Sequence, residues 1–406
     1  METGKHDNRE RESGLKQGAK SGRISFSLFF YLFFFGFGGF FPLLSVYFKN
    51  EVGLNGGEIG IILAIGPIVM MLVQPFWGMI CDYTRRPNQV LVFALLMTGT
   101  LGPVYLWLDS YVWMVVLAGV LAAFQSAIVP ISDSIALSAV QREGGDYGAL
   151  RLWGAIGFAS ATWVMGEAAE QLGLTVIFFG FAVALWLAAG TGLRLPKEGA
   201  SLTVDLRAGL SRLVRLRRFM LFLLATFLIY GPVHANNVYF GLLVQDLGGT
   251  VAGVGLGFLL AAGSEAPFMR MAGHWIRRRG ALAVALFAAL VSGARWLFYT
   301  TEPSITWVYV TTVSQGMSVG LFIPASLQYV RDLAPREVRT TAISLYAAAG
   351  TGLGNSLFTL FGGMISDWTG ISGTYLLFGF SSLMGAVILL WVKRSEARSV
   401  SRGLAV

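Results

Sequence analysis

Residues 24–48 read ISFSLFFYLFFFGFGGFFPLLSVYF and contain no charged side chain. A helix needs about 20 mostly apolar residues to cross the hydrocarbon core of a bilayer. The stretch is about twice as long as the apolar core of a signal peptide, and it lacks a small-residue cleavage site. We therefore predict that it stays in the protein as a membrane-spanning helix.

Eleven further apolar runs follow along the chain. Backbone polar groups in hydrocarbon must be satisfied within the span, so these runs predict helices rather than strands. The fold class expected is an all-α membrane protein with twelve transmembrane helices in two six-helix pseudo-repeats. The runs cover residues 24–48, 58–80, 88–108, 112–138, 150–168, 172–193, 219–245, 250–273, 281–300, 304–330, 339–365 and 371–392.

The composition excludes several classes of protein. Of 406 residues, 55% are hydrophobic and 13% are charged, whereas a soluble domain is about 25% charged. A soluble enzyme or nucleic-acid binder is therefore not expected. Cys81 is the single cysteine, so no intramolecular disulfide can form. The sequence shows no phosphate-binding glycine loop with lysine, no Cys/His metal cluster and no nucleophile with a base, which predicts no cofactor and no enzymatic activity.

The basic residues predict the topology. Nearly all of the 30 lysines and arginines lie in the two terminal tails or in loops on the same predicted side of the membrane. The positive-inside rule then places both termini in the cytoplasm of a protein of the cell membrane. The net charge of +8 is thus a topology signal, with the lipid bilayer rather than nucleic acid as the partner.

The longest internal loop divides the chain into two halves. We predict a tail over 1–23, a six-helix bundle over 24–193, a basic cytoplasmic linker over 194–218, a second bundle over 219–392 and a tail over 393–406. Within the linker, residues 205–218 suit either an amphipathic helix at the membrane surface or a solvated connection. The sequences GMICDYTRR (78–86) and GHWIRRR (273–279) echo each other, as expected of transporter repeats with a site between them.

Four ionisable residues fall at membrane depth, where charge is costly and usually functional. Asp133 and Arg151 lie nine residues to either side of Arg142, in the loop that joins the fourth and fifth runs, so a hairpin places them at similar depth. Glu265 and Arg295 each lie fifteen residues from Gly280, in the loop that joins the eighth and ninth runs. The spacing predicts two pairs that contact the solute, with a purely structural ion pair as the alternative for each.

Weaker polar candidates accompany these pairs. The seventh run contains YGPVHANNVYF (230–240), in which His234, Asn236 and Asn237 predict a lined cavity. The alternative for His234 is a packing histidine. Gln125 and Gln328 could line the cavity or bridge helices.

Several motifs resemble the major facilitator superfamily over almost the whole length. The loop after the second run carries its signature pattern as Gly78, Asp82, Arg85 and Arg86. The segments YGALRLWGAIGF (147–158), SEAPF (264–268) and ARW (294–296) are similar to the lactose permease and phenylpropionate permease branch. The resemblance implies a gate in which Asp82 latches the cytoplasmic side closed.

The resemblance also implies roles for the membrane-embedded residues. Asp133 and Arg151 have the spacing of an acid and an arginine that grip the sugar in the lactose permease branch, and Phe158 stands where a stacking tryptophan is expected. Arg295 matches the arginine of the ninth helix of that branch, and Glu265 lies near its polar pair on the eighth.

One departure concerns proton coupling. Gln315 and Ser318 occupy the places of a histidine and a glutamate that handle protons in that branch, so proton coupling here is expected to use Glu265 or Asp133. Gln315 then joins Asn237 and His234 as a predicted substrate contact.

Together these features predict a secondary transporter that works as a monomer by alternating access. We expect proton-coupled symport of a small polar organic solute, a sugar or glycoside first, with the proton gradient as the energy source. The alternatives are uptake of an organic carboxylate or nucleoside, a drug/proton antiporter, and a membrane sensor that does not transport.

Overall fold

The structure is a computed structural model that describes residues 3–143, 146–195, 213–335 and 338–401. The described residues form helices and contain no strand, as expected for a chain whose backbone must satisfy its own polar groups. The first six helices are α1 (Thr3–Asn50), α2 (Gly56–Thr84), α3 (Pro87–Leu101), α4 (Tyr111–Glu143), α5 (Tyr147–Leu172) and α6 (Val176–Gly192). A 3₁₀ turn (Gly102–Trp107) extends α3.

The second half of the chain is helical as well. Its helices are α7 (Arg217–Asp246), α8 (Val251–Arg279), α9 (Ala281–Tyr299), α10 (Ile305–Leu333), α11 (Arg339–Ala347) and α12 (Asn355–Ser401), and a π-helical turn (Ala348–Gly354) joins α11 to α12. Gly370, with φ 73° and ψ 179°, breaks α12 into two arms. Only glycine adopts this backbone conformation readily, and it separates the two last runs expected from the sequence.

The apolar character of the helices fits a membrane protein. Eight helical stretches among the described residues are long and apolar enough to cross a bilayer. Helices α1 and α12 extend beyond the apolar runs, so part of each predicted tail is helical. Residues 205–212 of the linker segment 205–218, for which the sequence leaves an amphipathic helix or a solvated connection open, lie outside the described residues.

Most helices pack against other helices of their own half of the chain. In the N-terminal half (α1–α6), α1 packs against α5, α2 against α4, and α3 against α4 and α6. In the C-terminal half (α7–α12), α7 packs against α12 and the π-helical turn, α8 against α10, and α9 against α10 and α12. The halves meet through α1 with α7, α2 with α12, and α5 with α8.

Glycines bring the two halves together at the end of the bundle opposite to both chain termini. A Cβ on Gly60 of α2 would lie 2.9 Å from the carbonyl oxygen of Thr359 in α12, and one on Gly166 of α5 would lie 3.2 Å from that of Val251 in α8. The Ser45 hydroxyl also donates a hydrogen bond of 2.6 Å across the halves to the Val238 carbonyl. We call this end the closed end, and it comprises residues 45–60, 162–170, 238–255 and 359–367.

The opposite end, which we call the open end, is loosely packed. The buried residues of α2 all lie between Gly57 and Ala64, near its closed end. Those of α8 lie between Gly253 and Ala261, apart from Ala272. Beyond these residues α2 still contacts the other half where Met71 meets Gly352 of the π-helical turn. The last turns of both helices are largely exposed, and the space between the halves opens toward the chain termini.

Substituting Gly255 should separate the halves at the closed end. A Cβ there would overlap the carbonyl oxygen of Thr162 in α5, and overpacking of this kind costs about 1–3 kcal/mol. With Ser45→Cys in a Cys81→Ser background, we expect Gly255→Ala to raise maleimide labelling of the buried cysteine at least about fivefold.

The matched control for this prediction is Gly263→Ala on the same helix, because a Cβ at Gly263 meets no atom within 4 Å. Both variants gain the same helix propensity, so the control isolates the clash. Equal labelling rates in the two variants would show that Gly255 does not hold the closed end together.

Candidate functional site

An ion pair joins α4 and α5 on the open side of the bundle. The Arg151 Nη1 donates to the Asp133 Oδ1 at 3.3 Å. The Tyr147 side chain lies near the Asp133 carboxylate. The structure thus brings together the two residues that the hairpin spacing placed at equal depth, while their contact with a solute remains a prediction.

Aromatic rings position the guanidinium of this pair. The Arg151 Cζ lies 4.5 Å from the ring centroid of Phe34 and 5.4 Å from that of Phe30, both on α1. Cation–π contacts of this kind stabilise a desolvated guanidinium. The Arg151 and Asp133 side chains remain 33% and 25% exposed, so both keep polar atoms available to a ligand.

Phe158 lies two turns beyond Arg151 on α5, where α1 and α5 approach closely. A Cβ on Gly38 of α1 would overlap the Phe158 carbonyl oxygen, so glycine allows the two backbones to touch. The Phe158 side chain is half-buried, and its ring contacts no other aromatic ring among the described residues. Its stacking on a ligand remains a prediction.

Glu265 and Arg295, which the spacing placed at matched depth, form no ion pair with each other, because Arg295 turns away from α8. The Arg295 Nε donates to the Tyr299 hydroxyl at 2.9 Å, and its Cζ lies 4.6 Å from the Trp296 ring centroid. The side chain is 4% exposed, and its Nη2 has no hydrogen-bond partner within the described part of the chain. The hairpin arms diverge because α9 packs against α10 and α12, whereas α8 packs against α10 and α5.

Glu265 lies at the close approach of α8 and α10. A Cβ on Gly316 would lie 2.5 Å from the Ala261 carbonyl oxygen, and one on Gly320 would lie 2.7 Å from the Glu265 carbonyl oxygen. The Glu265 side chain is half-buried, has no cation within ion-pair distance among the described residues, and lies near Tyr230 of α7. Within the described part of the chain, this carboxylate thus has no counter-charge.

A buried hydrogen-bond network connects α7, α10 and α12. The Tyr375 hydroxyl donates to the Asn236 Oδ1 at 2.9 Å, and the Asn236 Nδ2 donates to the Gln315 Oε1 at 3.4 Å. The Tyr375 ring also packs against that of Tyr299 at 5.3 Å between centroids, and the Tyr299 hydroxyl accepts from Arg295. Gln315 was expected to contact substrate, but its Oε1 accepts a hydrogen bond from Asn236.

The remaining polar candidates of α7 lie beside this network. The His234 ring packs edge-on against Tyr230 at 4.6 Å, and its buried Nε2 has no hydrogen-bond partner within the residues described. Asn237 is half-buried. Of the two glutamines, Gln125 has a buried Nε2 that lacks a partner in the described structure, and Gln328 bonds its neighbour Asp332 at 2.9 Å.

An aromatic group in the C-terminal half was missed by the sequence analysis. The Tyr230 ring stacks at 5.7 Å on Phe322 and at 6.5 Å on Tyr346. These residues come from α7, α10 and α11, so no local spacing relates them. Of the three, only Tyr230 lies in a segment that the sequence analysis singled out, the polar stretch over 230–240.

The signature loop lies at the open end between α2 and α3. Arg85 adopts a left-handed conformation with φ 53° and caps α2 through its N–H to the Cys81 carbonyl at 2.9 Å. Arg86 bonds Gln89 at 3.4 Å, and open space surrounds Gly78. The halves stand apart at this end. The gating role expected of Asp82 requires a conformation in which this end is closed, so it remains a prediction.

Comparisons with known proteins agree with this architecture. The model of the MFS_1 like family matches residues 23–377. The maltose permease of Geobacillus stearothermophilus is 48% identical over 367 residues, which cover 89% of this chain and 92% of that protein. The uncharacterized transporter YwbF of Bacillus subtilis (strain 168) is 41% identical over 362 residues, covering 89% and 91%.

A solved structure shows the same fold. A mutant of the nucleoside transporter NupG superposes with a TM-score of 0.83 at 16% identity, covering 91% of this chain and 99% of that one. The protein is therefore no enzyme but a multi-pass membrane protein that carries out secondary transport of small organic solutes. It belongs to the MFS_1 like family of major facilitator transporters.

Proposed function

We propose that this protein is a proton-coupled symporter of a neutral sugar or glycoside. The observation that carries the proposal is the Asp133–Arg151 ion pair, which is partly exposed on the open side and flanked by aromatic rings. A carboxylate accepts hydrogen bonds from sugar hydroxyls and a guanidinium donates them. The similarity to a maltose permease supports a sugar as the first solute to test.

The proposed architecture has twelve transmembrane helices in two six-helix repeats. The support is the packing order, because α1 with α5, α2 with α4 and α3 with α4 in the N-terminal half correspond to α7 with α12, α8 with α10 and α9 with α10 in the C-terminal half. Repeats of this kind rock about a site between them. With both termini in the cytoplasm, as the basic residues indicate, the open end faces inward.

The balance of charge favours a neutral solute. Asp133 and Arg151 neutralise each other, so an uncharged polyhydroxyl ligand can bind both without leaving a buried charge unpaired. Phe158, half-buried and free of other rings, can stack on the apolar face of a sugar ring. The aromatic group of Tyr230, Phe322 and Tyr346 offers further rings in the other half.

Glu265 is the proposed carrier of the coupled proton. The protein provides no cation within ion-pair distance of it among the described residues, so a proton or a solute donor is what can neutralise its charge inside the membrane. Its place on α8, where α8 crosses from the closed to the open end, lets it face either side as the halves move.

A second candidate function is uptake of an organic carboxylate. The observation that favours it is Arg295, a buried guanidinium whose Nη2 has no partner within the described chain. A guanidinium pairs with a carboxylate in a bidentate manner.

An external-pH trace tests both candidates. De-energised cells that express the protein are pulsed with maltose, uridine or 3-phenylpropionate, and the medium is followed with a pH electrode. Alkalinisation with maltose alone is the expected result. Alkalinisation with 3-phenylpropionate alone would establish the second candidate, and labelled maltose that equilibrates without a pH change would overturn proton coupling.

A further inference from the structure

A carboxylate of the C-terminal half binds the beginning of a helix in the N-terminal half at the closed end. Asp367, in the first arm of α12, accepts a hydrogen bond from the Gly56 N–H to its Oδ1 at 2.7 Å. Its Oδ2 accepts a second bond, from the Gly57 N–H, at 2.9 Å. Gly56 and Gly57 are the first two residues of α2. A Cβ on Gly57 would lie 2.7 Å from the Asp367 Oδ2, so a side chain there would displace the carboxylate.

The reverse contact lies beside it. Glu170, near the end of α5 in the N-terminal half, accepts hydrogen bonds through its Oε2 from the backbone N–H groups of Val251, at 2.7 Å, and Ala252, at 3.2 Å. These two residues begin α8 in the C-terminal half. Each half therefore offers one carboxylate to the first turn of one helix in the other half.

The first N–H groups of a helix lack intrahelical partners, and the helix dipole gives that end a partial positive charge. A carboxylate that accepts two of these N–H groups makes charge-assisted bonds, which are stronger than neutral ones. Because the partners belong to different halves, these bonds exist only while the closed end is shut.

Local capping does not explain the two contacts. The Asn55 side chain accepts from the Glu58 N–H at 2.8 Å, and the Glu58 side chain accepts from the Asn55 N–H at 3.0 Å, which completes a capping box at the start of α2. At α8, the Thr250 hydroxyl oxygen accepts from the Gly253 N–H at 3.0 Å. Both helices are thus capped within their own half, and the carboxylates take the N–H groups that these caps leave open.

We propose that Asp367 and Glu170 are paired latches that hold the closed end shut and so set the balance between the two transport conformations. The inference rests on the alternating-access mechanism of the proposed function. When the closed end opens, water replaces both sets of bonds, so each latch shifts the balance modestly rather than locking it. We expect each to favour the closed end by about three- to tenfold.

Spin-label distances across the closed end measure this balance. Asp109 and Thr301 are exposed at that end, in loops of the N-terminal and C-terminal halves respectively. The full-length protein with Asp109→Cys, Thr301→Cys and Cys81→Ser is labelled and studied in lipid nanodiscs without solute. Glu170→Gln and Asp367→Asn should each raise the ratio of long-distance to short-distance molecules about three- to tenfold, and in the double variant the ratio should rise by roughly the product of the two factors.

A proline at position 251 removes a donor while leaving the carboxylate in place. Val251 is the first residue of α8, where proline is tolerated, and Thr250 before it has φ −95° and ψ 167°, which a following proline accepts. Val251→Pro should therefore raise the long-distance population in the same direction as Glu170→Gln. Val251→Ala, which retains the N–H, should not.

Two acids at the same end serve as matched controls. Glu167 is bonded by Gln171 of its own helix at 2.7 Å, and Glu302 is bonded by Ser372 of its own half at 3.1 Å. Glu167→Gln and Glu302→Gln should leave the distances unchanged, and a thermal unfolding curve checks that every variant is folded. Unchanged distances in the Glu170→Gln/Asp367→Asn double variant, or equal shifts in the controls, would overturn the latches.

This measurement is independent of the solute and of the proton. Long distances that rise in the latch variants, together with no pH response to any solute, would keep the latches and reject the proposed substrate. A sugar-driven pH response together with unshifted distances would keep the proposed function and reject the latches.

Discussion

Asp133→Asn should lower the rate of maltose uptake by about ten- to a hundredfold, because a hydrogen bond to a charged group contributes about 1.5–3 kcal/mol. The variant removes both the negative charge that holds Arg151 and the acceptor offered to the solute. Initial rates of labelled uptake in cells, normalised to the amount of protein in the membrane, measure the effect. Asp109→Asn, an exposed acid in a loop, is the control and should retain its rate.

The Asp133→Asn/Arg151→Gln double variant separates a binding role from a structural one. Removing both members of an ion pair is often neutral for stability, whereas removing one leaves an unpaired charge. If the pair only holds α4 to α5, the double variant should regain most of the lost uptake. We expect it to remain as slow as either single variant, with maltose binding lost and the thermal midpoint recovered.

Glu265→Gln should abolish uphill accumulation of the solute while leaving exchange intact. The amide keeps the size and the hydrogen-bonding capacity of the side chain but cannot release a proton. Labelled solute in proteoliposomes with an imposed proton gradient should therefore reach only its equilibrium level. Exchange against unlabelled solute requires no net proton movement and should continue at close to the unsubstituted rate.

Two results would reassign this role. Loss of exchange in Glu265→Gln would place Glu265 among the groups that bind the solute. Accumulation that persists with an unchanged dependence on pH would move the coupled proton to Asp133, the other acid at membrane depth. A third variant adds Gln315→Glu to Glu265→Gln and so moves the carboxylate from position 265 to position 315. If this double variant accumulates solute again, the exact position of the acid is not critical.

Much of the fold follows from the length and spacing of apolar segments. The run over 24–48 and its successors predict helices because hydrocarbon offers the backbone no other partner, and the described chain is helical at these runs. The Asp133–Arg151 pair could also be predicted from the sequence. The short connection between α4 and α5 fixes the relative depth of their residues, and one arginine side chain spans the remaining distance.

The same reasoning failed for Glu265 and Arg295. Equal distance from a hairpin loop fixes depth but says nothing about the direction in which each side chain points around its helix. Arg295 turns into the cluster of Trp296, Tyr299 and Tyr375, because α9 packs on α10 and α12 rather than along α8. The aromatic group around Tyr230 escaped detection for a related reason, as its members come from three helices.

The sequence by itself determined the class of protein, the positions of the helices and the acids and bases at membrane depth, because these depend on composition and on local spacing. The tertiary structure alone decided which end of the bundle is closed and which groups hold it closed. Gly56 and Asp367 are 311 positions apart, and neither is unusual in its local context. Their contact exists because the two halves pack together, and that geometry follows from the packing of glycines on opposing backbones rather than from any local pattern.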